Sequence, residues 1–591
     1  MQTRTERKSK RMAIALLAAL IAATPSWAAG DGAGPATAAG NNASNSEPAA
    51  PITAELTELK ASVEAQAQQF AEHSKELESE RAALKEELER IATLEAKLGV
   101  TPNDAASSST SPVVLGPTDL GGTPGSSASQ TSQQPGSQIN IVTPEHPLSI
   151  KIGNADFTPG GFVDLTGIFR STDIGSGLGT SFTSIPYITT LPQARLSELR
   201  ETSQGSRISL KVDAPIAGST AVTGYVESDF NGYVPANANQ STNGDSMRLR
   251  LAWAQVRHGN WEVLGGQSWS LLTPTRVGLS PLPGDIFTTL RVDSNYVAGL
   301  VYARQTGLRV VYHPAQWWTF GVALENPDQY VPTSVVFPGG AASIFANQFD
   351  SGSSSTTPAS TSTNTAIPNL HPDIIAKTAF DWTTWGRSFH LDIAGIARSF
   401  KDYQNIAAPH DTNTITGGGG SVNLNFEVLR GFHLIGNSFY SDGGARYIGA
   451  LGPDVVVRPN GTLSAVHSGS GIGGFEWQTT KNLLIDGYYS GAYFERNYAL
   501  TTSTLGTACG VPPTKFCVGY GFPGSANTNN RAFQEATLGF IPTIWSNPNY
   551  GKLQLIVQSS YVVRSPWFVA AGAPKNAHVF MTYVDLRYII P

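Results

Sequence analysis

The chain has 591 residues and a formal net charge of −6, and only 14% of its residues are charged against 40% that are hydrophobic. Average proteins carry roughly 25% charged residues, so this composition is poor in charge without indicating disorder along the whole length. The mildly acidic balance excludes a general nucleic-acid-binding protein, which needs a basic surface. Two cysteines cannot build a zinc finger or a disulfide scaffold. No stretch reaches the roughly 18 apolar residues that indicate a membrane-spanning helix.

The N-terminus predicts an export signal. Basic residues between positions 4 and 11 precede the uninterrupted apolar run 12–23, and Ser26-Trp27-Ala28 fits a small-x-small cleavage site. This order is typical of a secretory signal peptide. A membrane anchor is the alternative, but the apolar run is shorter than the roughly 20 residues that span a bilayer. We therefore assign residues 1–28 to a signal peptide.

A coiled coil is predicted between two linkers. Residues 29–53 are rich in Gly, Ala, Asn, Pro and Ser, and residues 100–147 are again low in complexity, so both are interpreted as linkers. The segment 54–99 is predicted to form a periplasmic coiled coil, because strict spacing by seven keeps one seam against a partner helix. The companion positions of the heptads are half polar, so a single solvated helix is the alternative. The apolar residues of the seam are Leu56, Val63, Phe70, Leu77, Leu84, Ile91 and Leu98.

Residues 148–591 predict a run of strands, because apolar and polar side chains alternate with period two. Within 162–170, for example, Val163 and Leu165 share one face, whereas Asp164 and Arg170 share the other. A soluble β-sandwich would need surfaces rich in Lys and Glu, whereas a membrane barrel turns its apolar face to lipid and its polar face to a wet interior. The fold class predicted is therefore all-β, a transmembrane antiparallel β-barrel preceded by the α-helical coiled coil.

Long and short connectors alternate along this region and predict about 16 strands, with 14 and 18 as open alternatives. Outer-membrane barrels have long loops at one end and short turns at the other. Aromatic residues beside the short connectors predict an interfacial belt, and they are Tyr312, Trp317, Trp318, Trp382, Trp385, Trp477 and Trp545. The long connectors are 172–206, 231–245, 273–300, 327–372, 401–417, 443–467, 498–531 and 565–576. The short ones are 214–219, 258–260, 314–317, 382–387, 429–431, 480–482 and 542–551.

A barrel of this size is too wide for side chains to fill, so the sequence predicts an aqueous channel. The third long connector is a candidate for folding inward over 274–299, with an ordinary surface loop as the alternative. Rings of charge set selectivity in pores, and arginine forks match carboxylates, so small anionic solutes are favoured. A structural ion pair in the lumen is the alternative for each candidate residue. The candidate pore-lining and selectivity residues are Arg207, Lys211, Arg248, Arg250, Arg276, Asp285, Arg291 and Arg398.

Four short segments resemble the DcaP-like outer-membrane porins. They are Gly-Tyr-Val-Glu-Ser-Asp-Phe at 224–230, Arg-Leu-Arg-Leu-Ala-Trp-Ala at 248–254, Gly-Gln-Ser-Trp-Ser at 266–270 and Gly-Val-Ala-Leu-Glu-Asn-Pro at 321–327. The resemblance covers the heptad region and much of 160–327. It implies a trimeric barrel of sixteen strands, an N-terminal periplasmic coiled coil and the passage of small organic acids such as dicarboxylates.

The remaining motifs do not indicate an enzyme. The common hydrolase, phosphate-loop and zinc-protease motifs do not occur, and no cofactor or metal site is predicted. Cys509 and Cys517 are predicted to form a local disulfide in an exported protein, with two free thiols as the alternative.

Together these observations predict a porin in the outer membrane of a Gram-negative cell, with its N-terminal region in the periplasm. It would form a water-filled channel for small hydrophilic solutes, including organic anions. The expected partners are outer-membrane lipid, further copies of the chain in a homotrimer, and peptidoglycan, which the coiled coil would contact. The alternative function is a structural anchor that links the membrane to the cell wall without an open pore.

Overall fold

The structure, a computed structural model, describes residues 147–187, 191–232, 246–338, 348–351, 368–404, 410–502, 506–509 and 515–591. These residues belong to one compact unit. The predicted signal peptide, the coiled coil at 54–99, the linker 29–53 and the linker 100–147 up to residue 146 lie outside the described residues. In the described part of the chain, no helix has the length and hydropathy of a membrane-spanning helix.

The described residues form β-structure with three short 3-10 helices, Phe182–Ser184, Pro192–Arg195 and Ala445–Tyr447. The strands are long where the sequence alternates and end at Gly-rich or polar stretches. In chain order they are β1 (Ile150–Ile152), β2 (Ala155–Arg170), β3 (Glu198–Thr202), β4 (Arg207–Ala217), β5 (Thr220–Asp229), β6 (Arg248–His258), β7 (Trp261–Trp269), β8 (Arg304–Ala315), β9 (Trp318–Glu325), β10 (Asp373–Thr384), β11 (Arg387–Tyr403), β12 (Thr412–Leu429), β13 (Phe432–Asp442), β14 (Val455–Val457), β15 (Leu463–Ala465), β16 (His467–Thr480), β17 (Leu483–Phe494), β18 (Asn497–Thr501), β19 (Thr507–Ala508), β20 (Phe516–Tyr520), β21 (Asn530–Asn547), β22 (Gly551–Pro566) and β23 (Ala577–Ile589).

The long strands form a single antiparallel sheet that closes on itself. The last strand, β23, pairs with β2 from Phe162↔Ile589 to Arg170↔Met581. On its other side β2 pairs first with β4 and then with β3, which together form one interrupted wall strand. Counted in this way, the wall has sixteen strands, and the predicted closed barrel is confirmed. Short β1 pairs with β2, and the small sheets β14–β15 and β18–β20–β19 lie in loops.

Eight loops meet at one end of the barrel, here named the loop end, and seven short turns meet at the turn end. This arrangement follows from antiparallel neighbours joined in sequence order. At the turn end, Trp385 and Gly386 have φ angles of 52° and 71°, as a two-residue type I′ hairpin requires. The loops are L1 (171–197), L2 (230–247), L3 (270–303), L4 (326–372), L5 (404–411), L6 (443–466), L7 (495–529) and L8 (567–576). The turns are 218–219, 259–260, 316–317, 385–386, 430–431, 481–482 and 548–550.

The predicted alternation of long and short connectors is confirmed, but several boundaries were wrong. The first long connector, predicted at 172–206, contains β3, and the first short one, predicted at 214–219, shrinks to 218–219 because β4 continues to Ala217. The fifth long connector, predicted at 401–417, shrinks to 404–411 because β11 and β12 stay paired as far as Tyr403↔Thr412. The last short connector, predicted at 542–551, shrinks to 548–550. There β21 continues through Pro542 with a register shift between Thr543 and Trp545, so proline did not end the strand.

The faces of the wall strands are assigned as the alternation predicts. In β2, Val163 and Leu165 are 59% and 54% exposed, whereas Asp164 and Arg170 are 3% and 0% exposed. The same division recurs around the barrel, with apolar side chains outside, and the inner face carries the polar side chains together with apolar ones such as Ile168 and Ile375 that pack in the interior. The tryptophans of the predicted belt are exposed beside the turns. Trp382 also stacks on Phe389 of the next strand at 5.7 Å between ring centroids.

A charge placed on the outer face should destabilise the barrel. Val422 is 42% exposed on β12, between the inward-facing Ser421 and Asn423. Val422→Arg is expected to lower the free energy of unfolding in lipid vesicles by about 2–4 kcal/mol, because a lipid-facing Arg is this costly near the bilayer midplane. Urea titration would measure the change. The control Val422→Leu should stay within about 0.5 kcal/mol of the parent chain. Equal stability of the two variants would contradict the outward face.

Candidate functional site

L3 folds into the lumen and is held there by side chains of the wall. Its backbone N–H groups donate to inward-facing side chains on four strands that lie far apart in the sequence. The alternative of an ordinary surface loop is therefore excluded, and the prediction that this connector folds inward is confirmed. The hydrogen bonds run from Leu271 to Glu325 on β9 (2.7 Å), from Thr275 to Asp392 on β11 (3.0 Å), from Ala298 to Glu535 on β21 (2.8 Å) and from Val292 to Gln558 on β22 (2.7 Å).

Two arginines of L3 act as further anchors. Arg276 donates from both terminal nitrogens to the Glu476 carboxylate on β16, at 2.8 Å each. Its guanidinium also lies 5.1 Å from the centroid of the Phe287 ring. Arg291 is buried in an ion pair with Asp486 on β17. Bidentate pairs of this type fix geometry as well as adding energy, so these arginines hold the loop in position.

A buried polar cluster fixes the first part of L3 to β10 and β11. Both ring nitrogens of His390 face carboxylates, at 2.7 Å from Asp381 and 3.1 Å from Asp392. The Thr275 hydroxyl donates to the same Asp392 carboxylate at 2.9 Å. Lys377 completes the cluster, with its Nζ 3.2 Å from Asp392. The carboxylates of Asp381 and Asp392 therefore have partners in His390, Thr275 and Lys377, as buried polar groups require.

The wall formed by β4, β5 and β6 presents cations to the lumen. The side chains of Arg207, Lys211 and Arg248 are 25%, 28% and 34% exposed. The carboxylates Glu227 and Asp229, with which the two arginines pair, are only 3% and 4% exposed. These carboxylates lie beneath the two guanidinium groups, whereas Lys211 pairs at 2.9 Å with Asp213, which is 22% exposed. Cations therefore outnumber carboxylates on the exposed surface of this wall.

The remaining candidate residues have different surroundings. Arg250 is buried between Glu227 at 2.6 Å and Asp229 at 2.8 Å. Asp285 is half-buried on L3, where burial raises the pKa of its carboxyl and the neighbouring Lys211 acts in the opposite direction. Arg398 is fully buried and does not line the lumen, since it pairs with Asp373 at 3.1 Å and Asp454 at 3.0 Å. It ties L6 to the wall.

Loops at the loop end contact one another as well as the wall. Val336 of L4 and Gly519 of L7 exchange two backbone hydrogen bonds, of 3.1 and 2.7 Å. Cys509 and Cys517 are joined by a disulfide within L7. Burial raises the pKa of the Asp328 carboxyl in L4 to about 6, against the opposing effect of Arg446. L4, L6 and L7 therefore form a connected cover beside the lumen.

Two arginines beside the basic wall, Arg587 and Arg304, were not among the candidates from the sequence. Arg587 on β23 and Arg207 on β4 both lie over the ring of Phe162, at 4.2 and 5.1 Å from its centroid. Arg304 lies over the ring of Trp269 at 5.8 Å. Period-two alternation already placed Arg587 on the polar face. Nothing in the sequence signalled Arg304, because it begins a strand directly after a long loop.

No protein-family model and no curated protein matches this sequence. Among solved structures, the chain is similar to the outer membrane channel DcaP of Acinetobacter baumannii, with a TM-score of 0.52 and 16% identity over 74% of this chain and 99% of that chain. It is more distantly similar to an anion-selective porin from Comamonas acidovorans, with a TM-score of 0.38 and 11% identity over 74% of this chain and 100% of that chain. OmpT of Vibrio cholerae has a TM-score of 0.38 and 10% identity over 75% of this chain and 99% of that chain. The first likeness shows the fold of the chain.

The anchoring of L3 can be tested by hydrogen exchange. Arg276→Gln removes the bidentate ion pair with Glu476, and such a charged hydrogen-bonded pair contributes about 1.5–3 kcal/mol. We expect L3 amides to exchange about tenfold faster or more, as local opening becomes easier. Mass spectrometry of peptides from 270–303 would measure this.

The control for this test is Arg458→Gln. Arg458 donates to the carbonyl of Tyr498 and the hydroxyl of Ser464, away from L3. It should leave L3 exchange unchanged. Unaltered protection in Arg276→Gln would show that the other contacts hold the loop without this pair.

Proposed function

We propose that this chain, which has the fold of the DcaP channel, is an outer-membrane porin of the DcaP-like type. It forms a water-filled channel for the passive diffusion of small hydrophilic solutes. The observation that carries the proposal is L3, which lies inside a closed barrel of sixteen strands and is attached to the wall of β9–β22. A barrel of this width is not filled by its own side chains, so a loop in the lumen narrows a passage.

We further propose that the passage favours anions, including organic anions such as dicarboxylates. The support is the unequal exposure of the two signs of charge on the wall opposite the anchored part of L3. Arg207 and Arg248 face the lumen over the buried Glu227 and Asp229, and Lys211 beside them pairs with the partly exposed Asp213. Exposed cations with buried counter-charges attract anions into a narrow passage, where the low-dielectric wall strengthens the field. Arg276 and Arg291 are assigned to anchoring, and Arg250 to orienting its neighbours.

The location and assembly of the chain are part of the same proposal. The apolar outer face and the aromatic belt fit an outer membrane, and the predicted signal peptide would deliver the chain there. The first wall strand starts at the turn end and the last wall strand finishes there. The coiled coil predicted at 54–99 would therefore lie in the periplasm, within reach of peptidoglycan. We propose a homotrimer held in part by that coiled coil. Chemical cross-linking of the full chain should give trimers, and recovery of monomers alone would contradict this.

Electrical recording in planar bilayers tests the channel directly. The purified full-length chain should give stepwise conductance, and the reversal potential in a KCl gradient should report a preference for chloride. Absence of conductance would contradict the porin and favour the structural anchor. A preference for potassium would contradict the assignment of the basic wall while leaving the pore intact.

Charge substitutions connect the selectivity to named residues. The double variant Arg207→Gln, Lys211→Gln should lower the chloride-to-potassium permeability ratio by roughly two- to fivefold, the size expected for losing nearby unit charges in a hydrated pore. The matched control Arg207→Lys, Lys211→Arg keeps both charges and should keep the ratio. Equal ratios in the neutral and charge-conserving variants would show that these residues do not set selectivity.

A further inference from the structure

A group of arginines lies where L3 leaves the wall and returns to it. Trp269 is the last residue of β7 and Arg304 is the first of β8, and the two face each other in the β7–β8 ladder. Arg250 and Arg304 both lie over the Trp269 ring, 5.9 and 5.8 Å from its centroid. Arg304 is also within electrostatic range of Arg248. We name Arg207, Arg248, Arg250 and Arg304 the arginine cluster.

The arginine cluster holds more positive charge than its neighbours balance. Its carboxylate partners are Glu227, which serves Arg207 and Arg250, and Asp229, which serves Arg248 and Arg250. Arg304 makes no ion pair with any described residue. Four guanidinium groups therefore share two carboxylates, so these six groups carry two more positive than negative charges in a partly buried place, and Arg304 is the arginine of the cluster without a carboxylate partner. Like charges so close together repel, which favours a bound anion.

Two donors beside the Trp269 ring lack acceptors. The Nη1 nitrogen of Arg304 and the indole Nε1 of Trp269 are buried without a hydrogen-bond partner in the described structure. A buried donor without an acceptor costs about 1–3 kcal/mol, and more when the group is charged. Folded proteins rarely keep such groups unless something else satisfies them.

Tyr296 brings L3 to the same place. Its backbone has a φ of 58°, a left-handed conformation that is strained for a residue with a side chain. Its ring contacts Trp269, at 6.4 Å between centroids, and Tyr302, at 5.2 Å. The strained backbone at Tyr296 therefore places the phenol of this residue beside the arginine cluster. The Tyr296 hydroxyl is in a position to donate a hydrogen bond to an anion bound there.

We propose that the arginine cluster, together with Tyr296, is a binding site for a compact dianionic oxyanion of the phosphate class at the root of L3. The inference rests on the proposed porin function and specifies one class of solute that the channel retains. A phosphate group concentrates two negative charges on one tetrahedral centre, and arginine forks bind such oxygens in pairs. It matches the two unbalanced charges better than chloride does, and more compactly than two carboxylates on a carbon chain.

Titration of the chloride current tests the site. Inorganic phosphate, added to the full-length channel in a bilayer at about pH 8, should reduce the chloride current in a saturable way. At about pH 5.5 the reduction should be weaker, because inorganic phosphate has then bound a second proton and is mainly a monoanion. Glycerol phosphate is the second probe and distinguishes two sources of the ligand. If both compounds block the current, the site binds the phosphate end of larger solutes. If only inorganic phosphate blocks it, the site binds free phosphate.

Two variants and one control assign the effect to the site. Arg304→Gln should raise the phosphate concentration for half-maximal block about tenfold or more, the loss expected for one charged hydrogen-bonded partner. Tyr296→Phe removes only the hydroxyl and should raise the half-blocking concentration severalfold. Arg257→Gln removes the same charge from β6 near the turn end, where Arg257 pairs with Glu262. It should keep the half-blocking concentration within about twofold.

The outcomes separate this inference from the porin proposal. A chain that conducts chloride but shows no saturable phosphate block would overturn the site and leave the porin in place. A chain without any current would overturn the porin itself. Equal effects of Arg304→Gln and Arg257→Gln would show general charge screening, and block by succinate at lower concentration than phosphate would show a dicarboxylate site. Either result would refute the phosphate assignment.

Discussion

The pairing of β23 with β2 is the contact on which the rest of the structure depends. A backbone N–H or C=O that faces hydrocarbon has no water to bond with, so an open sheet edge is not tolerated in lipid. Closing the sheet removes both edges at once. It also divides every wall strand into an apolar outer face and a polar inner face, because neighbouring side chains point to opposite sides. Once the ladder closes, an enclosed interior lined by ionisable groups follows.

The charged side chains in that interior need partners. Buried arginines and carboxylates are tolerated only when they are paired and hydrogen-bonded, and most of those in the described lumen are. L3 meets much of this demand, because its backbone donors reach Glu325, Asp392 and Glu535 on distant strands. The loop and the wall therefore stabilise each other: the wall carboxylates fix the loop, and the loop satisfies the carboxylates.

The two sides of the lumen differ as a result. On the side of β9–β22, L3 covers the wall. The polar side chains of the wall accept hydrogen bonds from the backbone of L3 there. On the side of β4–β6, Ile286 and Tyr296 of L3 pack with Tyr225 of the wall. The exposed guanidinium groups of Arg207 and Arg248 lie there over buried carboxylates. The same residue type thus serves two purposes. Arg276 and Arg291 hold the loop, whereas Arg207 and Arg248 stay partly exposed over Glu227 and Asp229.

The sequence predicts the barrel well because its signals are local. Alternation in β2 is enough to assign Val163 and Asp164 to opposite faces, and the spacing of turn residues predicts the number of strands. Errors are confined to strand ends such as Pro542, where a bulge lets β21 continue past a residue that usually ends a strand. The inward loop was one of two alternatives, since a sequence does not state what a long connector packs against.

The site was predicted only in part. Alternation identified which charged residues face inward, but it could not separate Arg398, which is sealed between Asp373 and Asp454, from Arg248, which reaches the lumen. It also missed Arg304 and Tyr296, which are important only because the fold returns L3 beside Trp269.

By itself, then, the sequence determined the fold class, the strand faces and the two ends of the barrel, since each depends on neighbours within a few positions. Only the tertiary structure decided which charges are paired, which are covered and which remain exposed. Those properties depend on partners one hundred or more residues away, such as Arg276 and Glu476, that only barrel closure and the inward course of L3 bring into contact.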